Sequence, residues 1–267
     1  MKRGSATAKI NLALVVGARR DDGYHEVATV LQRIDLADRI ELVPASQVQV
    51  TGFAGDTLVG RALEAFAVET GTCWHARIEK HIPVAAGLGG GSSDAATALA
   101  LASESLAERL AGERLHELAA QLGSDVPFFL TSGPQLANGT GTDLELLELP
   151  QDFWVVLVLP HDTSKRSTAD VYDAFDGGHG FDDRRAALLD ALAAVERQAD
   201  LAALPPNDLA TSPLADELLA AGAFRADVSG AGPMVYGLFV DEHDAAAAVR
   251  RLRAHGRVWM TTPAWYG

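Results

Sequence analysis

Pro83-Val84-Ala85-Ala86-Gly87-Leu88-Gly89-Gly90-Gly91-Ser92-Ser93-Asp94 decides how the rest of this chain is read. Four of the five residues from Gly87 to Gly91 are glycine, so the backbone can approach a ligand closely and can enter left-handed conformations. Ala95, Leu99, Ala102 and Leu106 follow at helical spacing and predict a helix from about Ser93 to Leu110. A glycine loop entering a helix start presents unpaired N–H groups at the positive end of the helix dipole, a cradle suited to phosphate. Ser92 and Ser93 add hydroxyls. A flexible turn capped by a serine is the plainer alternative for such a run. No lysine follows the glycines as a P-loop requires, and the Gly-x-Gly-x-x-Gly spacing that starts at Gly87 ends on Ser92.

Working outward, Ile10 to Val16 and Ile40 to Val43 read as strands, and Val48 and Val50 alternate with polar residues. Asp56 to Thr70 reads as a helix closed by Gly71, His75 to Glu79 as a short strand, and Glu113 to Leu122 as a helix closed by Gly123. Phe153 to Leu159 is an unbroken apolar run before Pro160, the pattern of a buried strand. Arg184 to Ala199 reads as a helix and Val235 to Val240 as a strand. Asp244 is read as the cap of a last helix ending near His255. Strands, then helices, then alternating strands and helices indicate an α+β fold in two lobes with a boundary near residue 150.

The 267 residues suffice for one large or two small domains. The formal net charge of -14 argues against nucleic-acid and anionic-membrane partners, because phosphate contacts need clustered cations. That charge is uneven: residues 1–100 carry 10 Lys or Arg and 11 Asp or Glu, which leaves 12 and 25 for the remainder. An anion site is therefore easier to build in the first part of the chain. The single cysteine, Cys73, cannot form an internal disulfide and reads as a small buried apolar residue in a reducing, cytoplasmic compartment. Lys2 and Arg3 before an apolar stretch have the look of a secretory leader, but Lys9 and Asn11 interrupt it, and a buried strand is the reading adopted. His161, His179, His243 and His255 are too scattered to suggest a metal site, and His81 reads as a solvated loop residue.

Pro83 to Ser93 resembles the central ATP motif of the GHMP kinases, the superfamily that holds galactokinase, homoserine kinase and mevalonate kinase. Lys9-Ile10-Asn11-Leu12, Arg19-Arg20-Asp21-Asp22-Gly23-Tyr24-His25-Glu26 and Gly123-Ser124-Asp125-Val126-Pro127-Phe128-Phe129-Leu130 resemble one branch of it, which phosphorylates 4-diphosphocytidyl-2-C-methyl-D-erythritol. Ser229-Gly230-Ala231-Gly232-Pro233 resembles the third superfamily motif, with Ala231 where many relatives carry Ser. Ser167 to Tyr172 and Asn207-Asp208-Leu209 are weaker matches.

The resemblance implies a ribosomal S5 domain 2-like N-terminal lobe (1–150), a ferredoxin-like C-terminal lobe (151–267) and an active site in the cleft between them. It implies ATP with Mg²⁺, held by the whole run from Pro83 through Val84, Ala85, Ala86, Gly87, Leu88, Gly89, Gly90, Gly91 and Ser92 to Ser93. Asp125, which by itself reads more readily as a solvated turn residue, becomes by this resemblance the base that takes a hydroxyl proton. Lys9 becomes its cationic partner, orienting the hydroxyl and stabilising charge on oxygen. Asn11, Tyr24, His25, Thr168 and Tyr172 are the implied substrate contacts, with Tyr24 and His25 on the cytosine ring. The implied partners are small molecules only, for a monomer or homodimer. The rivals are a GHMP kinase acting on homoserine or a mevalonate derivative, and a nucleotide-binding protein without catalysis.

Overall fold

The computed structural model describes residues 1–161, 167–175 and 179–264. The N-terminal half is a sheet of β1 (Lys2–Arg19), β2 (His25–Ala45), β3 (Gln49–Thr51), β4 (Cys73–Glu79), β5 (Gln135–Gly139) and β6 (Asp143–Leu146). Its order is β3-β4-β2-β5-β6, with β1 antiparallel along the other side of β2. Helices α1 (Leu58–Thr70), α2 (Gly90–Ser103) and α3 (Gly112–Leu122) cover one face. There Val59, Phe66, Ala95, Leu99 and Leu118 bury against Ile40, Leu42 and Ile78. Each large apolar side chain fully buried in this way contributes roughly 1.5–3 kcal/mol.

The second sheet joins β7 (Trp154–Pro160), β8 (Arg225–Val228), β9 (Val235–Phe239) and β10 (Gly256–Thr261), all antiparallel, in the order β10-β7-β9-β8. Helix α4 (Thr168–Asp173) precedes α5 (Phe181–Ala193), which packs on β1, whereas α6 (Pro213–Ala220) and α7 (Glu242–Leu252) pack on the second sheet. A central core, with Ile10, Leu12 and Val30 against Val155, Leu157, Leu188 and Tyr236, welds the sheets together. The chain then returns to the first sheet, where Ala264 N–H bonds the Arg33 carbonyl at 3.0 Å.

Several elements differ from the sequence reading. β1 runs well beyond Ile10–Val16, because residue-by-residue pairing with β2 carries its polar ends. α2 ends at Ser103 and not near Leu110: the Leu106 N–H turns to the Ser103 carbonyl, and the Ser103 hydroxyl accepts from Leu110 N–H at 3.1 Å. Hydroxyl groups compete in this way for helix backbone partners. Gly89, not a serine, occupies the cap of α2, in the left-handed region at φ +68°. Asp241 caps α7, and Asp244 lies in its first turn. α5 stops at Ala193, and a 3₁₀ turn forms at Gln198–Ala203. Cys73 is half-buried at the start of β4. No helix among the described residues is long and apolar enough to cross a membrane.

Candidate active site

A cleft of about 670 Å³ opens where the glycine loop, the β1–β2 turn, α4 and the Ser229–Gly232 turn converge. Gly87 carries φ +83°, and a Cβ there would stand 2.2 Å from the Ser229 carbonyl oxygen. Two bonds fasten the loops: Ser229 Oγ donates to the Gly87 carbonyl at 2.9 Å, and Met234 N–H to the Ala86 carbonyl at 3.1 Å. The third motif thus supports the glycine loop from behind. At Gly89 a Cβ would lie 3.0 Å from Phe129 and 3.1 Å from Lys9 Cγ, so only glycine lets the Lys9 stem pass.

Beyond Gly89 the helix begins. Ser93 N–H bonds the Gly89 carbonyl at 2.9 Å, so the amides of Gly90, Gly91 and Ser92 form the first turn, where a helix has no internal acceptors. These three residues line the cleft. Ser93 is a correction to the sequence reading: its side chain is buried inside α2 and does not line the cleft. The other loop residues assigned from the sequence, Pro83 to Ser92, all line it.

Lys9 is almost wholly buried, with 5% of its side chain exposed, and its ammonium stands 3.4 Å from a carboxylate oxygen of the partly exposed Asp125. A relay fixes it. Lys9 Nζ donates to Asn11 Oδ1 at 2.7 Å, Asn11 Nδ2 to Thr29 Oγ1 at 2.8 Å, and Thr29 Oγ1 to the Ala13 carbonyl at 2.6 Å. Asn11, placed on the substrate by the sequence, lines the cleft and also holds the lysine. Its amide is held in turn by Thr29, a residue sequence reasoning missed because it belongs to another strand. Asp125 follows Gly123, which closes α3, and the apolar turn Pro127–Leu130 anchors it from the other side.

The β1–β2 turn holds the cytosine candidates. Arg20 pairs with Asp22 and Glu26, and Tyr24 N–H bonds Asp22 Oδ1 at 3.0 Å. The turn therefore presents Tyr24 with 62% of its surface exposed over the cleft. His25 is buried, and its Nδ1 lies 2.9 Å from the Gly17 carbonyl. A carbonyl only accepts, so Nδ1 carries the hydrogen, and in the neutral ring Nε2 is an acceptor. Tyr172 stands with its ring centroid 5.6 Å from that of His25, in a tilted pair, and Phe175 meets His25 edge-on at 6.0 Å. Burial, reinforced by the charge of Asp125, raises the Tyr172 phenol well above its ordinary range, so it stays protonated. Thr168 lines the cleft at the start of α4.

Behind the glycine loop sits a cluster unforeseen from the sequence. Lys80 donates to Asp38 and, at 2.8 Å, to Asp94 Oδ2. Asp38 also accepts the backbone N–H groups of His81 and Ile82, at 2.5 and 2.8 Å. Its members are 42 and 14 positions from Lys80, so no local pattern reveals them. The His81 side chain is exposed beside Glu79.

Two family models match this chain, that for the GHMP kinases N terminal domain over residues 57–133 and that for the GHMP kinases C terminal region over 186–258. A 4-diphosphocytidyl-2-C-methyl-D-erythritol kinase of Geobacter sulfurreducens is 37% identical, with 96% of this chain and 95% of that protein covered. The kinase of the same name from Pelotomaculum thermopropionicum is 40% identical over 93% of this chain and 92% of its own. A crystal structure of 4-(cytidine 5'-diphospho)-2C-methyl-D-erythritol kinase superposes with TM-score 0.81 at 33% identity, covering 98% of this chain and 99% of that one. A homoserine kinase from Cytophaga hutchinsonii, 16% identical, shares the fold at TM-score 0.75. Identity of 37–40% over more than nine-tenths of both chains, with the two matched family models, places the whole chain in one group: it belongs to the 4-diphosphocytidyl-2-C-methyl-D-erythritol kinase family of the GHMP kinases.

Proposed function

We propose that this chain transfers the γ-phosphoryl group of ATP to the 2-hydroxyl of 4-diphosphocytidyl-2-C-methyl-D-erythritol, a step of non-mevalonate isoprenoid synthesis. The observation that carries the reading is the Lys9–Asp125 pair, 3.4 Å apart, set between a phosphate cradle and the turn that presents Tyr24 and His25. The first-turn amides of α2 and its dipole hold the polyphosphate at Gly90–Ser92. ATP enters as its magnesium complex, the ion riding on phosphate oxygens. The described residues hold no cluster of three or more His, Cys, Asp or Glu suited to a resident metal.

Asp125 accepts the proton of the substrate hydroxyl as that oxygen bonds to the γ-phosphorus and the bond to the ADP oxygen breaks. Lys9 stabilises the charge that gathers on the transferring oxygens, and the Asn11–Thr29 relay keeps its ammonium in place. Tyr24 offers a face to the cytosine ring, and Tyr172 closes the same pocket beside His25. His25 Nε2, an acceptor by the Gly17 bond, suits the exocyclic amine of cytosine. We assign residues 1–150 and 151–267 to the two lobes, acting in the cytoplasm as a monomer or homodimer.

The test is ADP release from ATP across a panel of the cytidylyl substrate, homoserine and mevalonate phosphates. Turnover on the cytidylyl compound alone, with competition by cytidine nucleotides, is the expected result. Turnover on homoserine or a mevalonate phosphate without such competition overturns the substrate assignment.

A further inference from the structure

The Lys80–Asp38–Asp94 cluster has a charge imbalance. Asp38 is fully buried and fully used: one oxygen accepts the His81 and Ile82 amides, and the other accepts Lys80. Asp94 is 1% exposed, spends Oδ2 on Lys80, and has Oδ1 buried without a hydrogen-bond partner. Two carboxylates thus share one ammonium.

The cluster also sits at a telling place. A Cβ built on Gly90, the first residue of α2, would lie 3.3 Å from Lys80 Nζ. A cation beside the positive end of a helix is disfavoured unless anions hold it there. Asp94 lies in the second turn of the same helix, and both Asp94 and Lys80 line the cleft. Lys80 from the end of β4 and Asp38 from β2 face Asp94 directly; Lys9, Asp56 and Asp125 are charged groups lining the same cleft.

The geometry points to Asp94 as a positioning residue for the nucleotide, acting through Lys80 and taking up one proton from solvent when polyphosphate settles on the first turn of α2. Lys80 keeps its place on Oδ2, and the unpartnered Oδ1 receives the proton, so the arriving anion meets a neutral cluster and not a net negative one. Burial, outweighing the attraction of Lys80, pushes the Asp94 carboxyl up to about 7, close enough to neutrality for this exchange. On Lys80 burial works against the charge, but Asp94 and Asp38 outweigh it and keep the ammonium protonated. By linkage, a site that gains a proton with its ligand binds more weakly as pH rises through that group's titration, by at most about tenfold per pH unit.

The inference rests on the nucleotide reading of the loop, so the test uses magnesium-ADP and needs no cytidylyl substrate. Calorimetric titration of the full chain in buffers of differing ionisation enthalpy gives the protons taken up per nucleotide. Wild-type protein is expected to take up roughly 0.3–0.7 proton at pH 7.5 beyond that of the isosteric Asp94→Asn variant. The nucleotide's own titration is common to both proteins. At pH 8.5 Asp94→Asn is expected to bind ADP about three- to tenfold more tightly than wild type, and at pH 6 equally well. A merely structural role would weaken binding at every pH. Equal proton uptake in the two proteins overturns the role of Asp94 and leaves the nucleotide site standing. Absence of ADP binding to wild-type protein overturns both. The wild-type buffer series also decides the matter without the variant, since zero uptake between pH 6.5 and 8 refutes the proposal.

Discussion

Replacing Gly87 by alanine probes the contact on which the cleft is built. The residue sits at φ +83°, where an L side chain costs roughly 1–2 kcal/mol. The new methyl would lie 2.2 Å from the Ser229 carbonyl oxygen and 3.2 Å from that of Gly232, so the two loops must part by about 1 Å. Parting them stretches the Ser229 Oγ to Gly87 bond and the Met234 N–H to Ala86 bond, each worth about 0.5–1.5 kcal/mol net. The sum is about 2–5 kcal/mol, less than the stability of most domains, so the variant should fold. A displacement of that size in a group that positions substrate costs on the order of 100-fold in kcat/KM for ATP. Gly71→Ala is the control, because Gly71 has φ +70° with nothing within 4 Å of a built Cβ. It isolates the backbone cost, roughly 1–2 kcal/mol. Urea denaturation and ATP-dependent kinetics of both variants check the reasoning. Equal losses of stability and equal kcat/KM would show that the Ser229 turn does not press on the loop.

Lys9→Met removes the cation, leaves Asp125 in place and strands the buried Asn11 Oδ1 without its donor; a fall in kcat of about 10²–10³ in steady-state assays with a stability loss of about 1–3 kcal/mol is expected. His25→Phe leaves the Gly17 carbonyl without its donor, so a loss of about 1–3 kcal/mol should accompany a KM for the cytidylyl substrate raised about tenfold or more. The KM for ATP should stay near wild type, which separates the two half-sites. For Asp94 the folded carboxyl titrates above its unfolded value, so the native state binds the proton more tightly. Stability should therefore fall as pH rises from about 4 to about 7, and this slope should vanish in Asp94→Asn, which gains about 1–3 kcal/mol at pH 7.5 by denaturant titration.

The segments assigned to the candidate site were the most legible part of the sequence because each is contiguous. Gly87–Ser92 points to phosphate through glycine spacing and a following helix, whereas Asp125, between a helix stop and an apolar turn, stands out only through the resemblance. What stayed hidden depends on partners far along the chain. β2 reads poorly because Gln32, Arg33 and Asp38 interrupt its apolar pattern. Gln32 is satisfied by Gln151, 119 positions away, and Asp38 by Lys80. Thr29, which steadies Asn11 and so Lys9, looks like any strand threonine until β1 and β2 are paired. Ser93 misled for the opposite reason: it is adjacent in sequence to Ser92, but the 100° step of a helix turns it into the core. Of the four lysines, Lys9 is buried and Lys80 half-buried at the cleft, Lys2 is exposed, and Lys165 lies outside the described residues.

The uneven charge also has a physical account. In the proposed mechanism the cleft would receive polyanions without a basic surface, through helix amides, Lys9 and a Lys80 ammonium balanced by two carboxylates. In that proposed mechanism Asp125 accepts the hydroxyl proton while Lys9 steadies the transferring oxygens. Its most direct test is single-turnover phosphoryl transfer to the cytidylyl substrate by Asp125→Asn, with both ligands saturating. The account predicts a transfer rate reduced by about 10²–10⁴ with ATP and substrate still bound near wild-type affinity. A transfer rate within a fewfold of wild type would contradict it.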